Sequence, residues 1–457
     1  MPIQRLESRR RLTTTAGTTI KGVLAALLLL LPGLTWSAEA SDLSDETRAC
    51  LKCHDKPTLS QKMEDGKTLS LHVSTDLFLK SQHSETDCED CHSDIDGDTH
   101  GKGKVKTVIK NRREHSMGMR ESCRDCHKKN FKAYDDGVHA AMVAEGSEKA
   151  PLCSNCHNSH TLLSVKEEVP MDQVPCANCH KEIFKAYAGD VHGLKRAAKV
   201  KDAPLCANCH KAHDGKAASL GNGIKDSCLA CHEDAEAKHK GWLPNAARHF
   251  EAISCPACHN PDAKRRVNLR LFDSASHTQL REKTGVPQFK DWTETADTQK
   301  MGLDERALRS MLKEFSEEGG KGKTILMGRL EVQSGVEAHQ LSDKSKAIKA
   351  CSSCHSQGAE PFQSVTVTMA GPDGRPVRHG VQKEVLNSLI SLDSVRGFYA
   401  IGANRIKLLD WLLLLAVAGS IAGAAMHATV RWGFRRAREK AEAESKASAA
   451  SDQASKS

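Results

Sequence analysis

The sequence predicts a mostly α and irregular fold: short helices and loops, a small α+β segment, and one C-terminal transmembrane helix. Three observations predict it. Cys-x-x-Cys-His occurs nine times and uses all eighteen cysteines. Aromatic residues make up only 4% of the 457 residues, too few for an ordinary apolar core. One apolar run, residues 408–430, is long enough to cross a bilayer.

The motifs are Cys50/Cys53/His54, Cys88/Cys91/His92, Cys123/Cys126/His127, Cys153/Cys156/His157 and Cys176/Cys179/His180. They continue with Cys206/Cys209/His210, Cys228/Cys231/His232, Cys255/Cys258/His259 and Cys351/Cys354/His355. This is the spacing of covalent c-type haem attachment: two thiols for the porphyrin vinyl groups, then a histidine for the iron. On a helical turn, positions i, i+3 and i+4 share a face, so all three side chains can address one macrocycle. Zinc would need pairs combined into four-ligand sets, and nine pairs leave one over. A disulfide framework has no use for nine identical spacings. Nine covalently bound haems c are therefore expected.

Residues 1–40 read as a signal peptide. Arg9, Arg10, Arg11 and Lys21 precede the apolar run Val23 to Leu34, and Ala38-Glu39-Ala40 offers a cleavage site. General secretion is favoured over the twin-arginine route, because haem c is attached to unfolded chains after export. Residues 41–262 form an eight-haem periplasmic region, with under 28 residues per haem. At that density the porphyrins themselves must be the core, and the haem-free chain should be unfolded.

A 53-residue repeat organises this region. Cys123 to Tyr134 recurs as Cys176 to Tyr187, and Val138-His139, Cys153 and His160 recur as Val191-His192, Cys206 and His213. A degenerate third copy starts at Cys228, and the first two motifs form a separate leading module. Residues 263–345 form a haem-free α+β segment. Leu303, Ala307, Leu308, Met311, Leu312 and Phe315 recur at helical spacing. Thr324 to Val332 and Val365 to Met369 read as strands, and Gly371-Pro372-Asp373-Gly374 as a turn. Residues 346–407 carry the ninth haem.

The apolar run 408–430 is flanked by Trp411 and Trp432, with Asp410 near its outer edge. Arg431, Arg435, Arg436, Arg438, Lys440 and Lys446 follow it. The preceding twenty residues carry only Arg396, Arg405 and Lys407. By the positive-inside rule, the tail 431–457 is cytoplasmic and the haem region lies in the periplasm of an inner membrane. The formal charge of +8 is concentrated at the ends, which carry +3 each. The remaining +2 is outweighed by haem propionates, so a nucleic-acid partner is not expected.

Nine of the 23 histidines belong to motifs. His139, His192, His160 and His213 keep phase with the repeat and are the leading candidates for sixth iron ligands. His72, His83, His115, His239, His249 and His339 lie between motifs and complete the set. His100 and His379 are weaker candidates, and His277 reads as a surface residue. Imidazole on both sides leaves no open iron position, which favours electron transfer over ligand chemistry. In the anchor, Gly419, Gly423 and His427 share one face, where a partner helix can approach. His427 is a candidate ligand for a b-type haem, or a proton-active group at a quinone site, shared with that partner; the alternative is an interfacial side chain reaching lipid headgroups.

The segments Val138-His139, Ala150-Pro151-Leu152-Cys153 to His160 and Gly241-Trp242-Leu243-Pro244-Asn245 resemble multihaem cytochromes c of the c3/c554-like superfamily. The ending Tyr399 to Ile406, with Asp410-Trp411-Leu412 and His427, resembles membrane-anchored c-type subunits of cytochrome bc-type quinol-oxidising complexes. That resemblance implies a separate integral cytochrome b as quinone-handling partner, and periplasmic electron carriers beyond. The expected function is electron relay between a quinone-linked membrane partner and periplasmic or extracellular acceptors. The alternative is a multihaem reductase of a small nitrogen or sulfur compound, with one open haem site.

Overall fold

The computed structural model describes residues 43–97, 99–100, 108–163, 169–215, 223–282, 288–316, 322–372, 374–388, 395–396 and 399–454. The signal-peptide reading of 1–40 and Asp373 of the expected turn lie outside them.

Residues 43–262 are a succession of very short helices, several no longer than a motif. Examples are Asp45–His54, Cys88–Cys91, Arg120–Cys126, Cys153–Cys156, Cys206–Cys209 and Cys255–His259. Segments this short do not hold helical structure by themselves, because nucleation outweighs one or two turns of hydrogen bonds. Their buried apolar residues, such as Leu51, Phe78, Phe131, Leu152 and Tyr187, are scattered. The contiguous core found among the described residues begins only at Ala257.

The repeat is copied in three dimensions. Helices Lys128–Asp135 and Val138–Ala144 recur as Lys181–Ala188 and Val191–Ala197, at the offset of 53 seen in the sequence. Tyr134 donates from its hydroxyl to the Pro151 carbonyl at 3.1 Å, and Tyr187 to the Pro204 carbonyl at 2.6 Å. In each copy this bond pins a Phe-Lys-Ala-Tyr helix to the Ala-Pro-Leu stretch that starts the next motif.

Strands β1 (Ser60–Lys62) and β2 (Thr68–Ser70) make a small antiparallel ribbon in the leading module. The main sheet comprises β3 (Arg265–Asp273), β4 (Thr324–Val332), β5 (Val365–Ala370), β6 (Pro376–Val381) and β7 (Val395–Arg396). Their order is β6-β5-β3-β4-β7. Both expected strands are present. The sequence reading missed β3, although Val267, Leu269 and Leu271 alternate along it and are fully buried. The expected helix spans Glu305–Glu314, capped by Asp304, whose Oδ1 accepts from the Ala307 N–H at 2.8 Å. Leu303 falls outside it and bridges to Val381 instead.

One sheet face packs Val267, Leu269, Leu326 and Val367 onto this helix and onto Phe289–Ala296. Because β5 to β7 lie beyond residue 345, the ninth motif occupies the crossover between β4 and β5. The Ser254 N–H donates to the Leu330 carbonyl at 2.9 Å, hanging the eighth motif on β4. Arg375 grips Glu145 through two contacts of 2.5 and 2.7 Å, joining the β5–β6 hairpin to the first repeat.

A helix of 48 residues, Lys407–Ala454, ends the described chain. Its apolar window has a mean hydropathy of 1.9, enough by length and composition to cross a membrane once. It continues without a break through the basic residues after 430.

Candidate functional site

Each motif folds as a single helical turn for a local reason. The motif histidine N–H donates to the carbonyl of the first cysteine, four residues back, at 2.8 to 3.0 Å in seven motifs. The other two, ending at His54 and His259, lie wholly within helices. That bond brings both sulfurs and the imidazole to one face. In the fourth and sixth motifs the residue before the final cysteine, Asn155 or Asn208, accepts from the Leu152 or Leu205 N–H at 2.7 Å. No disulfide joins any of the eighteen cysteines.

Opposite every motif histidine stands a second imidazole. The pairs are His54–His100, His127–His83, His92–His160, His180–His139 and His157–His213. They continue with His232–His192, His210–His339, His259–His239 and His355–His249. Ring centroids are separated by 5.8 to 6.4 Å. A metal–imidazole bond is about 2 Å, so two imidazoles on opposite sides of one metal hold their centroids about 6 Å apart. Nine pairs of neutral donors beside nine pairs of thiols fit haem c.

Hydrogen bonding supports that fit. Nδ1 of His54 donates to the Leu71 carbonyl at 2.8 Å, and Nδ1 of His355 to the Ile401 carbonyl at 2.7 Å. On the facing side, His83, His239, His249 and His339 donate from Nδ1 to the carbonyls of Ser159, Ala235, Asn245 and Gly335. A carbonyl only accepts, so each Nδ1 carries the proton and each Nε2 keeps its lone pair for a metal. Burial, followed by the charge of the facing ring, lowers the pKa of His139, His157 and His210. The neutral, ligating form is thereby favoured.

The pairing has a rule. The third, fifth, seventh and ninth motifs face His83, His139, His192 and His249, each located between the two preceding motifs. The second and fourth face His160 and His213, which follow the motif two places further on. Neighbouring units are thus interlocked.

Two sequence candidates are not brought opposite a motif histidine among the described residues, and one weaker candidate is. His72 follows Leu71, whose carbonyl takes His54 Nδ1, while the Val73 N–H donates to the His54 carbonyl at 2.7 Å. That strand runs along the back of His54, which leaves the far side to His100. His115 lies close enough for its charge to reach His92, but His160 faces that ring. His379 bonds Asp297 at 2.8 Å, away from any motif.

Cysteines of successive motifs also lie within electrostatic reach of one another, in sequence order. Within a pair the first cysteines are neighbours: Cys50 and Cys88, Cys123 and Cys153, Cys176 and Cys206, Cys228 and Cys255. Between pairs the second cysteines are neighbours: Cys91 and Cys126, Cys156 and Cys179, Cys209 and Cys231, Cys258 and Cys354. Burial and then Cys354 push the Cys258 thiol up to about 11. Every motif thus has a cysteine within electrostatic reach of the next one in sequence, from the first to the ninth, although Cys156 reaches Cys176 as well as Cys179 and Cys123 reaches Cys91.

Cys53 departs from this pattern. The sequence assigns it, with Cys50, to the first haem, and it sits in the last turn of Asp45–His54, directly before His54. Its side chain is exposed, unlike the half-buried Cys50. The structure does not bring Cys53 beside a cysteine of another motif among the described residues. The reason is its place in the row: the first motif has a neighbour only on the Cys50 side, where Cys88 lies. Cys351, exposed in the ninth motif, holds the same position at the opposite end.

Residues 175–260 match the family model described as Cytochrome c554 and c-prime. That stretch holds the fifth to eighth motifs. The high-molecular-weight cytochrome c of Nitratidesulfovibrio vulgaris strain Hildenborough is 27% identical over 33% of this chain. The match spans 34% of that protein's length. No solved structure matches. These similarities imply covalently bound haem c and electron transfer.

Proposed function

We propose that this chain is a membrane-anchored nonahaem c-type cytochrome. It relays electrons between a quinone-linked membrane partner and periplasmic or extracellular acceptors. The observation that carries the reading is the order in which the motifs neighbour one another, which ends at Cys351–His355, next to the chain that enters the membrane helix. When bound, each haem c supplies a one-electron ferric/ferrous couple. The chain's own residues do the rest. The paired cysteines would hold each macrocycle, and the facing imidazoles would supply its nitrogen ligands. The carbonyls at residues 71, 159, 235, 245, 335 and 401 orient the rings. A reductase needs a motif histidine with an open far side. All nine have a facing ring, which supports the carrier reading over catalysis.

The exposed face carrying Gly419, Gly423 and His427 is where an integral cytochrome b partner would pack, with His427 as candidate ligand to a shared b-type haem. The deciding experiment is a haem count by pyridine haemochrome, with electron paramagnetic resonance of the oxidised full-length protein. Nine haems showing only low-spin ferric signals are expected. Fewer haems, or a stoichiometric high-spin signal, overturns the reading.

A further inference from the structure

The 53-residue repeat builds one loop twice on the same backbone with different side chains. In the first copy it runs from Met142 to Ala150, and in the second from Lys195 to Ala203. The turn bonds correspond. Gly146 and Ser147 donate from N–H to the Val143 and Met142 carbonyls, and Lys199 and Val200 to those of Arg196 and Lys195, all at 2.9 to 3.0 Å. An arginine ties down each loop: Arg113 donates to the Ala150 carbonyl at 2.7 Å, and Arg196 to the Ala203 carbonyl at 3.4 Å.

The side chains do not correspond. Over residues 141–149 the first copy carries Glu145, Glu148 and Lys149, a net charge of −1, and Glu145 is held by Arg375. Over 194–202 the second carries Lys195, Arg196, Lys199 and Lys201 against Asp202, a net charge of +3. Lys195, Lys199 and Lys201 are exposed, and none forms an ion pair among the described residues. Leu194 and Val200 stand among them, 59% and 48% exposed, where the first copy has Ala141 and Ser147. Lys199 adopts φ +53° at the position that Gly146 fills with φ +77°. Left-handed backbone favours glycine, so folding alone does not select a lysine there.

The loop adjoins two motifs. Lys195 lies one turn beyond His192 on the same side of the helix Val191–Ala197, and His192 faces His232 of the seventh motif. Three residues after Ala203, Cys206 opens the sixth motif. Exposed cations around two exposed apolar side chains, next to redox sites, complement an acidic protein face: charge steers the encounter and apolar contact holds it.

We propose that residues 194–202 are the docking site of a soluble, acidic one-electron-transfer protein, which exchanges electrons with the row at the sixth and seventh motifs. One electron passes between the partner's redox centre and a haem iron, ferric to ferrous or the reverse, with no bond made or broken. The proposal rests on the electron-relay reading and adds an entrance in the middle of the row, away from both ends.

The test uses the full-length, haem-loaded protein in detergent, with a plant-type [2Fe–2S] ferredoxin, a small acidic one-electron protein, as probe. Calorimetric titration should show saturable binding that weakens at least tenfold between about 0.01 M and about 0.2 M salt. The triple variant Lys195→Met, Lys199→Gly, Lys201→Glu gives the loop the residues of the first copy, which the same backbone already accommodates. At low salt it should bind ferredoxin at least tenfold more weakly and be reduced by it at least tenfold more slowly. Haem content, the oxidised spectrum and reduction by dithionite should not change. Equal binding and equal rates in the variant overturn the proposal. So does protection of the three lysines from acetylation by phosphatidylglycerol vesicles but not by ferredoxin, which would make the loop a lipid-facing surface. A failure of the relay reading would show separately, as missing haems or a high-spin signal in the unaltered protein.

Discussion

His54 and His100 face each other with ring centroids 6.3 Å apart and ring planes 13° apart, although His72 is nearer to His54 in sequence. The ribbon of β1 and β2 explains the choice, because the strand leaving β2 spends Leu71 and Val73 on hydrogen bonds to His54 itself. His100→Ala should therefore convert one haem to high-spin ferric, visible by electron paramagnetic resonance. His72→Ala should leave all signals low-spin. The reverse result would assign the ligands the other way.

Tyr134 and Tyr187 make equivalent bonds in the two copies of the repeat. Replacing either by phenylalanine removes one hydrogen bond to a carbonyl and should cost about 1 kcal/mol of stability. The sites are separate, so the double variant should cost about the sum. Denaturant titration of the haem-loaded protein measures this. Haem content should stay the same, because neither hydroxyl touches a motif histidine.

Asp297 gives the sheet unit a pH dependence. Burial works to raise its carboxyl pKa, but the His379 hydrogen bond and the Gly302 and Met301 N–H groups outweigh it, and the pKa is lowered. A carboxylate lowered in the folded state stabilises above its unfolded pKa of about 4 and loses that contribution as pH falls through the folded value. Thermal melting followed through Trp292, in the adjoining helix Phe289–Ala296, should show stability dropping below about pH 4. Asp297→Asn should flatten that drop.

Much of the site was legible because attachment chemistry is local: two thiols and an imidazole must share one helical turn, and the spacing Cys176-x-x-Cys179-His180 announces it. The facing histidines were most legible where duplication repeated them, as for His139 and His192; His83, His239, His249 and His339 were marked only by lying between motifs, a signal that His72 and His115 share. His100 faces His54 by tertiary placement, and a single sequence carries no signal for which of two linker histidines crosses to the far side. The order of the motifs along the row was likewise invisible, since it depends on which sulfurs become neighbours on folding. Nothing in the spacing of Cys50 and Cys53 distinguishes an end motif from an interior one. β3 was missed because Arg265, Arg266 and Arg270 disguise it. Its alternation of Val267, Leu269 and Leu271 was there to be counted.

A break in the middle of the row tests whether it conducts as a row. Cys228 adjoins Cys255 on one side, and its motif partner Cys231 adjoins Cys209 on the other, so the seventh motif is the link between the repeat and the membrane end. Cys228→Ser with Cys231→Ser should remove one haem and retain eight. If electrons travel motif to motif from the ninth, the haems of the second to sixth motifs should then reduce at least tenfold more slowly than the eighth and ninth. The first-motif side should still accept electrons from a soluble reductant at the rate of the unaltered protein. Stopped-flow absorbance in vesicles, with reductant supplied first through the membrane partner and then from solution, separates the two directions. Equal rates at both ends would mean that the motif order seen in the structure is not the electron path.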